Sequence, residues 1–196
     1  VKADGLQKFL KGGFSTEDST GLNSSGNSYV GWNWVANGGV TSTNTDGSQT
    51  STIQVNQTAG FSIVTYTGTG TQSDTVGHGL GKKPTAILLK NLDETVNFDM
   101  NLFGSYRAAI NSAEANQGNF QTVGLEDTFT VPSNSDIHNK SNIKYIAYCW
   151  AEIEGYSKFG FYRGNGNANG TFVYTGFKPA WVMTKQVDGT NSWFYQ

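Results

Sequence analysis

Short apolar stretches punctuated by turn residues set the pattern of this chain. The alternation is clearest where Tyr29, Gly31 and Asn33 interleave with Val30, Trp32 and Trp34, the period of a half-buried strand. The same pattern predicts strands over residues 29–34, 62–67, 85–90 and 96–100. Further along it predicts strands over 129–131, 145–151, 158–162, 171–174, 181–185 and 192–195. Only residues 105–117 carry a helical pattern, and a short one. Parallel strands need long crossovers, and the gaps here are short and rich in glycine, which excludes a parallel α/β fold. The expected fold class is all-β: antiparallel β-sandwich-like units in an internally duplicated arrangement.

The duplication is read directly from the residues. Residues 60–70, beginning Gly60-Phe61-Ser62, lead to Gly79-Leu80-Gly81-Lys82-Lys83-Pro84 and the apolar run Ala86-Ile87-Leu88-Leu89. Residues 155–166, beginning Gly155-Tyr156-Ser157, lead to Thr175-Gly176-Phe177-Lys178-Pro179 and Trp181-Val182-Met183. The prolines and the following lysines keep one separation of 95 residues (84 to 179 and 90 to 185). Upstream, Tyr29-Val30-Gly31-Trp32-Asn33-Trp34 mirrors Tyr145-Ile146-Ala147-Tyr148-Cys149-Trp150, and Phe14 matches Phe129. The copies differ at residues 38–58, a Gly/Ser/Thr/Asn/Gln stretch of loop composition in which only 52–55 reads as a short edge strand. The chain is thus expected to hold a first β unit at 1–100, a connector at 101–122 and a second, truncated unit at 123–196.

Composition sharpens this picture. Hydrophobic residues are 36% but aromatics reach 13%, a balance that favours pleated sheets over helices, and the 25 glycines supply turns. Charged residues are only 14% with a formal net charge of −2, so no basic stripe exists to neutralise phosphates, and nucleic acid is not an expected partner. The single cysteine, Cys149, excludes an intrachain disulfide framework and lies in a hydrophobic run where a buried thiol is expected. No apolar stretch reaches membrane-spanning length, and no membrane insertion is expected. The chain begins Val1-Lys2, which reads as a processed or partial polypeptide.

Candidate chemistry is sparse. His78 sits in Val76-Gly77-His78-Gly79-Leu80-Gly81, a glycine-rich run that opens a strand; a phosphate cradle must open a helix, so a turn is the better reading. A ligand-contacting role at a surface is the alternative kept for His78. His138 reads as part of a solvent loop. Neither Asp93-Glu94 nor Glu126-Asp127 forms a catalytic carboxylate pair by itself, because adjacent strand residues face opposite ways. Residues 44–48 resemble an oxygen-ligand calcium loop but lack its distal bidentate acid. The asparagine- and glycine-rich residues 164–170 read as a hairpin or loop connection. No catalytic residue, cofactor site or metal site is expected. The five tryptophans read mostly as core, with Trp181 and Trp193 as the candidates for a binding surface.

The strings of residues 60–68, 76–81, 145–152 and 155–160 resemble a family of virion proteins from marine tailed phages, tail-fibre or decoration-like, from about Phe14 onwards. The His78-Gly79-Leu80-Gly81 turn also resembles an element of phage tail fibres. The resemblance implies a structural or host-binding role on an extracellular particle, and a unit that continues beyond residue 196. Its expected partners are other virion proteins, further copies of the chain in a homo-oligomer, and a host surface glycan. A secreted bacterial carbohydrate-binding or adhesion module is the alternative.

Overall fold

A computed structural model describes residues 6–16, 22–29, 31, 33–96, 99–102, 106–109, 124–132, 136–186, 191 and 194–196. These residues form strands and no helix: β1 (Leu6–Leu10), β2 (Gly13–Thr16), β3 (Ser42–Asn44), β4 (Ser51–Asn56), β5 (Phe61–Thr67), β6 (Asp74–Gly77) and β7 (Ala86–Asn91). They continue with β8 (Asp99–Leu102), β9 (Tyr106–Ala109), β10 (Thr128–Val131), β11 (Lys144–Trp150), β12 (Met183–Thr184) and β13 (Phe194–Tyr195). The chain is all-β, as its pattern requires. It divides into two compact units, Val1–Trp34 and Val35–Gln196. In the first, β1 and β2 form an antiparallel hairpin that turns at Gly12.

The second unit is built on a seven-stranded antiparallel sheet of order β3-β4-β5-β11-β7-β8-β9. Its inner face presents Ile53, Val64, Tyr66, Ile87, Leu89, Tyr145, Ala147 and Cys149, all buried. A second layer, the antiparallel β6–β10 ribbon, lays Val76, Phe129 and Val131 on that face, and Leu80 from the following turn joins the cluster. Tyr66 stacks on Tyr145 with ring centroids 5.2 Å apart and meets Phe129 edge-on at 6.1 Å. These rings supply the apolar area that an aliphatic-poor sequence needs. On the outer face Phe61 and Trp150 lie 5.3 Å apart, beside Tyr148.

The central strand of this sheet comes from the second sequence repeat. β11 pairs with β5 on one side and β7 on the other, both from the first repeat, and β10 pairs with first-repeat β6. Adjacent strands in sequence need not be neighbours in a sheet, and here a later segment is inserted between two earlier ones.

Several expectations need correction. Residues 38–58 contain two strands, and 52–55 lies inside β4, flanked by β3 and β5 rather than at an edge. The strand expected at 96–100 is displaced to Asp99–Leu102, set by its ladder with β7. The helix expected at 105–117 is contradicted where it is described: Tyr106–Ala109 is β9, recruited by the open edge of β8, and 110–117 lies outside the described residues. The described residues of 29–34 form no strand, nor do 158–162 or 171–174, and the strand at 181–185 contracts to Met183–Thr184. The physical reason is pairing: a strand persists only where a ladder satisfies its backbone, and in this part of the described chain the ladder is the short one of Met183–Thr184 with Phe194–Tyr195.

The β12–β13 ladder matches the β7–β8 ladder in register. Met183 pairs with Tyr195 and Thr184 with Phe194. Leu88 pairs with Met100 and Leu89 with Asp99, the same register 95 residues earlier (88 to 183, 100 to 195). Left-handed glycines coincide as well: Gly60 (φ 64°) with Gly155 (φ 74°), and Gly81 (φ 64°) with Gly176 (φ 83°). Gly60 has a further reason to be glycine, since a Cβ there would stand 2.5 Å from the Ala151 carbonyl oxygen.

Candidate functional site

The chemistry-bearing side chains are drawn inward. His78 follows β6 and is fully buried, which removes it from any exposed binding surface. Its Nδ1 accepts the Leu80 N–H (3.1 Å), so Nε2 carries the proton and donates to the Leu125 carbonyl (3.1 Å). The His78 N–H donates to the Asp127 carbonyl (3.1 Å), and its own carbonyl accepts the Ser62 hydroxyl (2.7 Å). Burial pushes the imidazole pKa down, outweighing the backbone hydrogen bond to Leu125, and the ring is neutral in the fold. His78 therefore clasps three segments around the turn into β7. Its glycine neighbours bend the chain close enough for this to happen.

His138 is not in a solvent loop. It is buried, with Nε2 2.9 Å from the Asp99 carboxylate, itself buried on β8, and its carbonyl accepts the Tyr66 hydroxyl (2.5 Å). A His–Asp pair is a familiar element of acid–base catalysis, and in this one both side chains are buried. Only the sheet brings residues 99 and 138 together; no local motif announces the pair.

The acidic dipeptide Asp93-Glu94 serves as a staple. Asp93 accepts the Lys144 N–H (2.7 Å), and Glu94 takes the Lys140 ammonium (2.6 Å) and the Asn91 amide (3.2 Å). Asp74 is fed by Ser48, Gln49, Thr69 and Asn139. Burial pulls the Asp74 carboxyl pKa up, but those hydrogen bonds outweigh it and hold the group below its usual range. Within residues 44–48 the Asn44 amide donates to Asp46 (2.6 Å), while the Ser48 N–H donates to the Thr75 hydroxyl (2.9 Å). Among the described residues no group of three or more His, Cys, Asp or Glu side chains is placed to hold a metal. Cys149 is buried, and burial drives its thiol pKa far up, so it stays protonated.

The exposed material is aromatic and lies elsewhere. From residue 152 to 186 the chain is largely without strands and shows Tyr156, Phe161, Tyr162, Phe172, Tyr174 and Trp181 to solvent. The expectation that the tryptophans are mostly core holds for none of those described: Trp150 is half-buried, while Trp34 and Trp181 are exposed. Trp32 and Trp193 lie outside the described residues. A cavity of about 420 Å³ opens in this segment, lined among others by Glu152, Ser157, Lys158, Tyr174 and Phe177. Glu152 holds the Lys158 ammonium (2.8 Å) and accepts the Phe159 N–H (2.9 Å). At the matching place in the first repeat the two segments are tied together, Gln57 donating to the Gly79 carbonyl (2.9 Å) and Ser62 to that of His78.

A family model described as a domain of unknown function, DUF7483, matches residues 1–196. The chain belongs to the DUF7483 family. No curated protein and no solved structure matches it. In this DUF7483 domain, then, the histidines, the cysteine and most acidic groups hold the scaffold together. The exposed aromatic side chains, Trp181 among them, are gathered on residues 152–186.

Proposed function

We propose that this DUF7483 domain is a non-enzymatic component of a phage virion surface, a tail fibre, spike or capsid decoration, with a structural or host-receptor-binding role. The observation that carries the reading is the division of labour between residues. Both histidines are buried in hydrogen bonds and Cys149 is buried, while aromatic side chains are concentrated on an exposed segment. Exposed aromatic clusters of this kind mark contact surfaces. The residues shared with virion proteins of marine tailed phages supply the setting. Mass spectrometry of purified virions from the source sample is the test, with the chain expected in stoichiometric amounts among the particle proteins. Its absence from particles, together with secretion by a bacterial host, would refute the reading.

The second reading, a secreted carbohydrate-binding or adhesion module, draws on the cavity that Tyr174 and Glu152 help to line. An aromatic ring and a carboxylate in one cavity suit the apolar face and hydroxyls of a sugar ring. Glycan-array binding that is lost in Tyr174→Ala, with no association to virions, would favour this reading over the first.

A further inference from the structure

The cavity of about 420 Å³ beside residues 152–158 and 174–177 has the size of a small-ligand site, for which roughly 300–1,000 Å³ is usual. Two short turns of one compact unit set its lining. In the first, the Ile153 carbonyl accepts the N–H groups of Tyr156 (3.0 Å) and Ser157 (2.9 Å), and the Ser157 hydroxyl accepts the Ile153 N–H (3.1 Å). Gly155 permits this turn with a left-handed φ of 74°. In the second, Gly176 takes φ 83° and the Thr175 hydroxyl donates to the Phe177 carbonyl (2.5 Å).

Three charged side chains line the cavity, and they are not equivalent. The Glu152 carboxylate holds the Lys158 ammonium at 2.8 Å with one oxygen and accepts the Phe159 N–H (2.9 Å) with the other. That pair is neutral as a unit. Glu154 is exposed and has no hydrogen bond or ion pair among the described residues. Two carboxylates against one ammonium leave the lining with one net negative charge, and Glu154 carries it. Other polar groups have capacity to spare. The Ser157 hydroxyl, an acceptor toward Ile153, keeps its own hydrogen for a ligand oxygen, and the Tyr174 hydroxyl both donates and accepts. Tyr174 and Phe177 supply ring surface; neither stacks on another ring among the described residues, and Tyr174 is 78% exposed.

We infer that this cavity takes a pyranose unit that carries no acidic group, and that it discriminates against sialic, uronic, sulfated and phosphorylated sugars. The inference rests on the reading of the cavity as a sugar site. A pyranose presents an apolar C–H face, which suits the ring of Tyr174 or Phe177. Its hydroxyls donate and accept, which suits the Glu154 carboxylate and the Ser157 hydroxyl. An acidic sugar meets Glu154 as a like charge instead. Two like charges in contact repel enough to cost about fivefold in affinity even at full water screening, and more where the lining excludes water. Lys158 does not offset this, because turning to the ligand would release Glu152 as a second unpaired carboxylate. A purely apolar ligand fits worse still, since it would strip water from Glu154 and supply no donor in return.

The test uses the full chain on an array of neutral and acidic glycans, followed by titration calorimetry with matched neutral and acidic oligosaccharides and with the free monosaccharide. Neutral sugars are expected to bind, and their acidic counterparts about fivefold or more weakly. Tyr174→Ala is expected to lose about tenfold in affinity with an unchanged thermal transition, because the ring is exposed. Phe172→Ala, which removes an 85% exposed ring outside the cavity lining, is expected to bind as the wild type does. Glu154→Gln keeps an acceptor but removes the charge, and is expected to narrow the gap between neutral and acidic sugars. Tighter binding of the oligosaccharide than of the monosaccharide supports the inference with a surface glycan as the source, and equal binding supports it with a soluble sugar. Acidic glycans bound as tightly as neutral ones, an unchanged gap in Glu154→Gln, or equal losses in Tyr174→Ala and Phe172→Ala would overturn the inference while sugar binding by the domain stands. No binding to any glycan would overturn the sugar reading of the cavity and the inference with it.

Discussion

Phe129 offers the sharpest test of the two-layer packing. It is completely buried on β10, its ring 6.1 Å from that of Tyr66, and it is the largest apolar group that the covering ribbon lays on the sheet. Truncation to alanine removes this ring from a site that cannot collapse, because the β6–β10 ladder fixes the backbone on which it stands. Large-to-small changes of this kind cost about 3–5 kcal/mol, of which the edge-on ring contact contributes about 0.5–1.5 kcal/mol. Against a total stability of roughly 5–15 kcal/mol the change is severe. With a urea slope of about 1–3 kcal/mol per molar, the unfolding midpoint is expected to fall by roughly 1–5 M. The internal comparison is Phe14, the sequence counterpart of Phe129, which is 44% exposed on β2. Phe14→Ala is expected to cost under about 1 kcal/mol, as ordinary surface changes do. Both variants are followed by far-ultraviolet circular dichroism during urea titration, at a concentration low enough to exclude self-association. A Phe129→Ala loss below 1 kcal/mol, or equal losses at the two positions, would refute the assignment of the core to this ribbon.

Three more expectations follow from single groups. His78 is held neutral with its pKa lowered, so protonation favours the unfolded chain; stability is full above the ordinary histidine value of 6.5 and falls as pH drops below it. His78→Gln should flatten that part of the profile, and an unchanged acid limb would show that another group governs it. Cys149, buried with its thiol pKa driven up, should resist thiol reagents at pH 8 in the native state and react at once in denaturant; rapid native labelling would contradict its place in the core. Gly60→Ala should cost more than Gly155→Ala: each pays about 1–2 kcal/mol for its left-handed φ, but only at Gly60 does the new Cβ collide with the Ala151 carbonyl and Ile153. Equal thermal shifts for the two would disprove the close approach.

The sequence by itself determined the strand class and the positions of β5, β7, β10 and β11. The alternation around Tyr145, Ala147 and Cys149 already separates an inward from an outward row, because side chains in a strand alternate faces whatever their neighbours. The run from Ala86 and the glycine turns at Gly60 and Gly81 were equally legible, since turn and strand chemistry are local. What only the tertiary structure decided is which strands find a partner. Residues 158–162 have as strong a strand pattern as 62–67, yet only the latter lie beside β11, and backbone pairing is a property of neighbours rather than of composition. The same holds for the site. His78 and His138 look alike as isolated histidines in polar, glycine- or asparagine-rich stretches. One closes a turn by local hydrogen bonds with Leu80, while the other meets Asp99 across 39 residues because the sheet folds the two together. Burial, and with it the fate of every reactive group here, is set by that long-range pairing, which no window along the chain contains.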